Sequence, residues 1–298
     1  MASSFDDEKI QSIVSEIFLF INKRETPMSL ITISYSMGTD GPKIARLVSK
    51  DLKLELYDDQ RIQEMIVSMG IRAKDIKDLD EKEPGFFDRL LSRKPDIYLR
   101  FMDSAVYSVA QKSDGVIVGH GSQTLLQDFG CALHVLINNN TENRIKNLIT
   151  QEGMKREVAE KVIRKSDSTL KGFFRFAYQR EWDDPTIYDM VINTEKMGSE
   201  TAARLIIEAA KSEEMKACSL TAIESMKRLS LAKKIEAELI RNNLFVHNLN
   251  IEVAENGVVN ITGTALTAER KNRVVKIVKD IPEVSDINLS LYLRSTSW

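Results

Sequence analysis

This chain of 298 residues has little of what covalent or metal chemistry needs. There are two cysteines, Cys131 and Cys218, in different segments and without CxxC spacing. No disulfide framework is expected from them, and a reducing cytoplasm is the default compartment. Of three histidines, none stands with Cys, Asp or Glu at zinc-ligand spacing. There is no GxSxG elbow to present a nucleophilic serine. No apolar run reaches the ~18 residues of a membrane-spanning helix. The chain opens on acidic Asp6, Asp7 and Glu8, the wrong charge for a secretory leader. Charge of one sign is also lacking. Lys plus Arg total 42 and Asp plus Glu total 44, a net charge of −2, so nothing global draws nucleic acid. No internal repeat or low-complexity tract appears. Hydrophobic residues make up 43% of the chain, which excludes wholesale disorder, and the length suggests roughly two domains.

Residues 7–23 read as an amphipathic helix, with Ile10, Ile13, Val14, Ile17, Phe20 and Ile21 at helical spacing. Its polar face is mixed, which fits packing on the main domain. Strand and helix signals then alternate. Leu30–Ser34, Leu54–Tyr57, Gly115–Gly119, Leu133–Ile137 and Met190–Asn193 read as strands. Residues 142–152, 155–166 and 199–213 carry helical patterns. Apolar strands separated by helices predict an α/β fold, a parallel sheet covered on both faces in three layers.

Near residue 212 the texture changes. A helical, charged stretch over 213–228 reads as a linker. A compact order follows: helix 229–242, strand 247–254, turn Glu255-Asn256-Gly257, strand 258–263, helix 267–280 and strand 284–293. Asn-Gly between two alternating runs predicts a hairpin, because both residues tolerate positive φ. The expected organisation is therefore an N-terminal helix over 1–28, a main domain over 29–212, the linker, and a small α+β unit over 229–298.

The first strand leads into Gly38-Thr39-Asp40-Gly41 and then a helix with Pro42 in its first turn. Strand, glycine turn and helix is the arrangement that binds phosphate through backbone N–H groups and the helix dipole. Yet GxxxxGK[ST] is absent. Asp40 places a negative charge in the loop, and Lys43, one turn into the helix, is the cation that offsets it. A phosphate cradle and a plain strand–helix connection both remain open on local sequence.

At this point the residues resemble a family. Ile31-Thr-Ile-Ser34, Gly38–Gly41 and Leu56-Tyr-Asp58 resemble the opening of the cytidylate kinase-like family, of the P-loop nucleoside monophosphate kinase fold. Val116-Ile-Val-Gly-His-Gly121 resembles its VIVGRG segment. Asp167, Trp182-Asp183, Tyr188-Asp189 and Asn193-Thr194 follow its order D…W-x-D…YDL-x-x-NT. The resemblance covers about residues 30–210. It implies ATP and Mg²⁺ as cofactors, and phosphoryl transfer to a pyrimidine nucleoside monophosphate. It further implies donor contacts at Gly38, Thr39, Asp40, Gly41 and Lys43. Asp58 and His120 face the acceptor, and a lid over about 150–178 brings Asp167, Lys171 and Arg175 to the reacting group.

Departures from that pattern bear on activity. A loop glycine is replaced by Asp40, the following Arg by Pro42, the Arg of VIVGRG by His120, and the lid Arg by Leu170. Phosphoryl transfer depends on cations near the migrating group, and an Arg fork gives bidentate geometry as well as charge. The alternative is thus a degenerate, nucleotide-binding relative. Individual residues also have plainer readings: Asp58 as a helix cap, Asp167 as a structural ion-pair partner, His120 as a turn residue. His134 reads as a core histidine and Trp182 as a packing anchor. Phe173, Phe174, Phe176 and Tyr178 read as helix-packing residues rather than a base-stacking platform.

The C-terminal unit resembles a BON domain, through Asn250-Ile-Glu-Val253, Gly257-Val-Val-Asn-Ile-Thr-Gly263 and Ile287–Leu291. The resemblance implies a binding module for a protein or phospholipid partner. Lys271, Arg273, Lys276 and Lys279 are the helix cations that could meet anionic headgroups; a solvated helix face is the plainer reading.

Overall fold

The computed structural model describes residues 30–69, 95–216, 220–244, 249–265 and 267–293. The expected helix over 7–23 lies outside the described residues. In chain order the elements are β1 (Leu30–Tyr35), α1 (Gly41–Leu52), β2 (Leu56–Tyr57), α2 (Asp59–Ser68), α3 (Pro95–Ala110), β3 (Gly115–Val118) and α4 (Ser122–Leu125). Then come β4 (Ala132–Asn138), α5 (Thr141–Glu152), α6 (Arg156–Tyr178), β5 (Met190–Asn193), α7 (Ser199–Ala210) and α8 (Glu213–Lys216). The rest are α9 (Leu220–Arg241), β6 (Asn250–Val253), β7 (Val258–Ala265), α10 (Ala268–Lys279) and β8 (Asp286–Leu293).

Strands β1–β5 form a parallel sheet in the order β2-β3-β1-β4-β5. β1 is central because its residues alternate between two apolar layers and all but Tyr35 are buried. Ile31 and Ile33 pack with Ile44, Val48, Ala203 and Ile206 of α1 and α7. Leu30 belongs to the opposite layer, with Phe101, Met102 and Val106 of α3 and Phe173 of α6. The link from β3 to β4 crosses β1, so the loop after β1 lies at the switch point where open α/β sheets bind ligands. Sequence patterning missed α3, although Phe101, Met102, Ala105, Val106 and Val109 carry a helical stripe and are fully buried.

In the C-terminal unit β6 and β7 form the expected antiparallel hairpin, and β8 pairs parallel to β7. Asn256 and Gly257 take φ of 67° and 76° in the turn. Val259 and Ile261 are buried, with Asn260 and Thr262 on the other face. β7 runs to Ala265 rather than 263, because Gly263 stays in register with Leu291.

Helix α9 departs from the expected linker followed by a helix at 229. It is continuous for 22 residues, since apolar positions on two faces serve two cores. Met226 and Ala237 join the layer of α3, while Ala232, Ile235 and Leu239 join the C-terminal core. Cys131 is buried and disulfide-bonded, which corrects the expectation of no disulfide. A bonded thiol removes the cysteine argument for a reducing compartment. Among the described residues no helix is long and apolar enough to cross a membrane.

Candidate functional site

Buried β1 ends at Tyr35, and the turn Ser36–Asp40 carries the chain into α1. Gly38 has φ +81°, and a Cβ there would come within 2.7 Å of the Arg144 carbonyl oxygen, so only glycine lets the loop lie this close to α5. Thr39 folds the turn on itself, its N–H and hydroxyl both donating to the Ser36 carbonyl. Two further carbonyls face α5. Arg144 Nε donates to Met37 O at 2.7 Å, and Asn147 Nδ2 to Gly38 O at 3.0 Å. At the start of α1, Pro42 has no N–H to offer an anion.

Asp40 does not cap the helix with its side chain. Its carboxylate instead joins two elements, accepting from Gln151 Nε2 of α5 at 3.0 Å and from Ser199 Oγ of α7 at 2.8 Å. Parallel pairing of β4 with β5 brings the start of α7 beside the loop. One turn on, Lys43 Nζ donates to Glu200 Oε1 at 2.8 Å in an exposed pair. That hydrogen bond raises the Lys43 pKa and lowers that of Glu200.

The expected lid is the end of α5 and the 23-residue helix α6. Asp167 receives a bidentate bond from Arg144, at 2.9 and 2.7 Å, and the guanidinium is buried. One buried arginine therefore holds the glycine turn after β1 and the expected lid helix together. Lys171 and Arg175 converge on Glu181, at 3.7 and 2.5 Å. Leu170 turns into the core beside Phe173 and Phe174, which fixes the face that α6 presents to the sheet.

Asp58, expected to face an acceptor, caps α2, accepting from the Arg61 N–H at 3.1 Å. His120 has φ +59° and is 1% exposed. Its Nε2 lies 3.1 Å from Asp59 Oδ1, at an angle outside that of a hydrogen bond. Tyr178 at the end of α6 donates to the His120 carbonyl at 3.1 Å. A pocket of about 170 Å³ opens here, lined by Tyr35, Pro42, Arg46, Asp58, Asp59 and Gln60 among others. The structure thus sets Asp58 at this pocket and His120 beside Asp59, while Lys43 lies on Glu200 and Lys171 and Arg175 share Glu181.

His134 is a satisfied core histidine, with Nδ1 at 2.8 Å from Thr32 Oγ1 and Nε2 at 3.3 Å from the Leu126 carbonyl. Burial pushes its pKa down, against the pull of Asp189. Trp182 is buried, and its carbonyl accepts from Tyr188 Oη. Phe173 and Phe174 pack as expected. Phe176 does not, at 43% exposed, because it falls on the outer face of α6. Sequence reasoning missed Gln151, Ser199, Glu200 and Glu181, the partners that fix the loop and lid charges. Gln151, Ser199 and Glu200 meet their partners only across the fold, whereas Glu181 lies six residues beyond Arg175, just past the end of α6.

Among the described residues no group of three His, Cys, Asp or Glu side chains could hold a metal ion. Asp40, Asp58 and Asp167 are each engaged within the protein. None of the three therefore stands open as a ready-made ligand, and a Mg²⁺ ion here would be held chiefly by the phosphates of a nucleotide.

A parallel sheet of this strand order, with helices on both faces and a glycine turn after its central strand, is a three-layer α/β fold. Within that class the chain belongs to the cytidylate kinase-like family, whose profile matches residues 30–196. Kinase-like nucleotide chemistry is the family's general function. Among solved structures, an uncharacterized protein from Eubacterium ventriosum is 19% identical, covering 62% of this chain and 99% of its own, with a TM-score of 0.50. Its likeness is one of fold. Shikimate kinase from Acinetobacter baumannii, in complex with shikimate, is 13% identical over 62% of this chain and 93% of its own, with a TM-score of 0.37. The Aquifex aeolicus shikimate kinase is 14% identical over 60% and 94%, with a TM-score of 0.34. No curated protein matches the chain.

Proposed function

We propose that this chain is a nucleotide-binding member of its family in which phosphoryl transfer is attenuated, with the kinase fold joined to a C-terminal binding module. The observation that carries this reading is the Asp40 carboxylate, fixed in the loop by Gln151 and Ser199. It sets a negative charge beside the position where donor phosphates would lie, and transfer depends on stabilising negative charge there. Pro42 removes one N–H from the same turn, and Leu170 lies in the core where the resemblance expects a lid arginine. The exposed pairs of Lys43, Lys171 and Arg175 oppose transfer far less, because such pairs exchange partners readily. Family membership suggests ATP and Mg²⁺ use in general.

A second reading is a working kinase that passes the γ-phosphoryl of ATP to a pyrimidine nucleoside monophosphate. One observation favours it. The acceptor-side pocket is present, and Arg46 at its edge makes no ion pair among the described residues. The helix, hairpin, helix and strand order of the C-terminal unit supports the BON-like module, which would take a protein or phospholipid partner.

The deciding experiment is an ATP and Mg²⁺ transfer assay with CMP, dCMP, UMP and AMP, run beside calorimetric binding of ATP and CMP. Binding without turnover is the expected result. Turnover with one preferred acceptor overturns attenuation and names the substrate. Neither binding nor turnover leaves the kinase fold as a scaffold.

A further inference from the structure

A cavity of about 410 Å³ lies between the main domain and the C-terminal unit, well away from the phosphate loop. Its volume falls within the ~300–1,000 Å³ of small-molecule sites, which favour domain junctions. One wall is a single face of α9: Glu224, Lys227, Arg228, Leu231 and Lys234 recur at helical spacing. The opposite wall is the end of α3, with Ser108 and Gln111, and the hairpin turn with Glu255 and Asn256.

The charges of this cavity are not spent alike. Lys234 is held by Glu283 at 2.7 Å. Arg228 donates to Ser225 Oγ at 3.1 Å, and its one carboxylate contact is loose, Glu255 at 3.7 Å with a side chain 80% exposed. Lys227 makes no ion pair among the described residues. Beside them the Ser108 and Ser230 hydroxyls bond each other at 2.9 Å. One proton lies between the two oxygens, so the pair keeps a second O–H to donate. Adjacent Lys227 and Arg228 with that hydroxyl pair make a subsite for an anionic group such as phosphate. Three carboxylates, Glu224, Glu255 and Glu283, line the same space, so a bare anion would be repelled. A ligand that also carries hydroxyl or amine donors would satisfy them.

We propose that this junction cavity is a second binding site, independent of the phosphate loop. It takes a phosphate-bearing small molecule with hydroxyl or amine donors, about the size of a mononucleotide. Because its walls come from α3, α9 and the hairpin, an occupant touches both units at once.

The test uses the full chain and three probes: CMP, cytidine and inorganic pyrophosphate. Calorimetry should show CMP binding more tightly than either part-ligand. The Lys227→Glu, Arg228→Glu double variant should weaken CMP at least tenfold, while Arg46→Glu, in the pocket beside Asp58, leaves this site's affinity unchanged. Hydrogen exchange on the unaltered protein supplies a readout that needs no variant. CMP should slow exchange at 108–111 and 253–257. The proposal is overturned if CMP does not bind, if pyrophosphate binds as tightly as CMP, or if neither the double variant nor the exchange responds. Loss of CMP binding in Arg46→Glu with no effect of the double variant would assign the ligand to the pocket beside Asp58 instead.

Discussion

Around the glycine turn after β1 and along α6, charges are mostly exposed and partnered. Between α3 and α9 a carboxyl group is buried and half-satisfied. Lys43, Lys171, Arg175 and Arg144 each sit on a carboxylate. Asp103 on α3 is 6% exposed, and its Oδ1 has no hydrogen-bond partner. The nearest cation, Arg100, is 3.8 Å from Oδ2 and shares itself with Glu236, which also binds Lys233. Exposed pairs are weak and exchangeable, whereas a buried group missing a bond is costly. Stability should therefore respond at the α3–α9 junction, and ligand affinity at the loop.

The largest effect belongs to Asp103. Burial raises its pKa to about 7 from an ordinary 3.8, with Lys233 and Arg100 pulling it down and Glu236 pushing it up. A carboxyl raised on folding holds its proton more tightly in the native state, so stability falls as pH rises from about 4 to about 7. The full loss is on the order of 4 kcal/mol. Urea unfolding across that range should show the decline in the wild type and a flatter profile in Asp103→Asn. Parallel profiles would mean that Asp103 stays ionised and its charge is met in the fold.

Next comes Arg144→Ala, which would cost about 3 kcal/mol by leaving Asp167 and the Met37 carbonyl without their donor. This change crosses the comparison, because Arg144 is the one loop cation buried deeply enough to act on stability. An unfolding midpoint within error of the wild type would place Arg144 among the exchangeable surface charges.

How far sequence reaches differs between the same two regions. The parallel sheet, the hairpin at Asn256-Gly257 and the cap at Asp58 were legible, because each rests on local patterning that the backbone obeys. The loop was legible as residues but not as geometry. That Asp40 would bind Ser199, 159 positions away, depends on the β4–β5 register. Helix α3 was missed although its stripe is present. The continuity of α9 was missed because its charged outer residues read as a linker, while its two apolar faces gain meaning only against two cores.

Asp40→Gly is expected to raise ATP affinity about tenfold, the ~1.4 kcal/mol scale of removing one nearby like charge. Calorimetry with ATP reads it directly. Unchanged affinity would show that the carboxylate, though fixed by Gln151 and Ser199, lies outside the reach of bound phosphates.

Smallest of all should be Lys43→Ala. The pair with Glu200 is open to solvent on both sides, with side chains 52% and 67% exposed, so no shift of the unfolding midpoint is expected. Its value lies in the second readout. If Asp40 keeps the donor side closed, Lys43 stays with Glu200 and ATP affinity is unchanged by the substitution. A severalfold loss of affinity would mean that Lys43 leaves Glu200 to meet a phosphate. The charge pairing seen here would then be a resting arrangement of a working site, and the contrast between a spent loop and an unsettled junction would fail on the loop side.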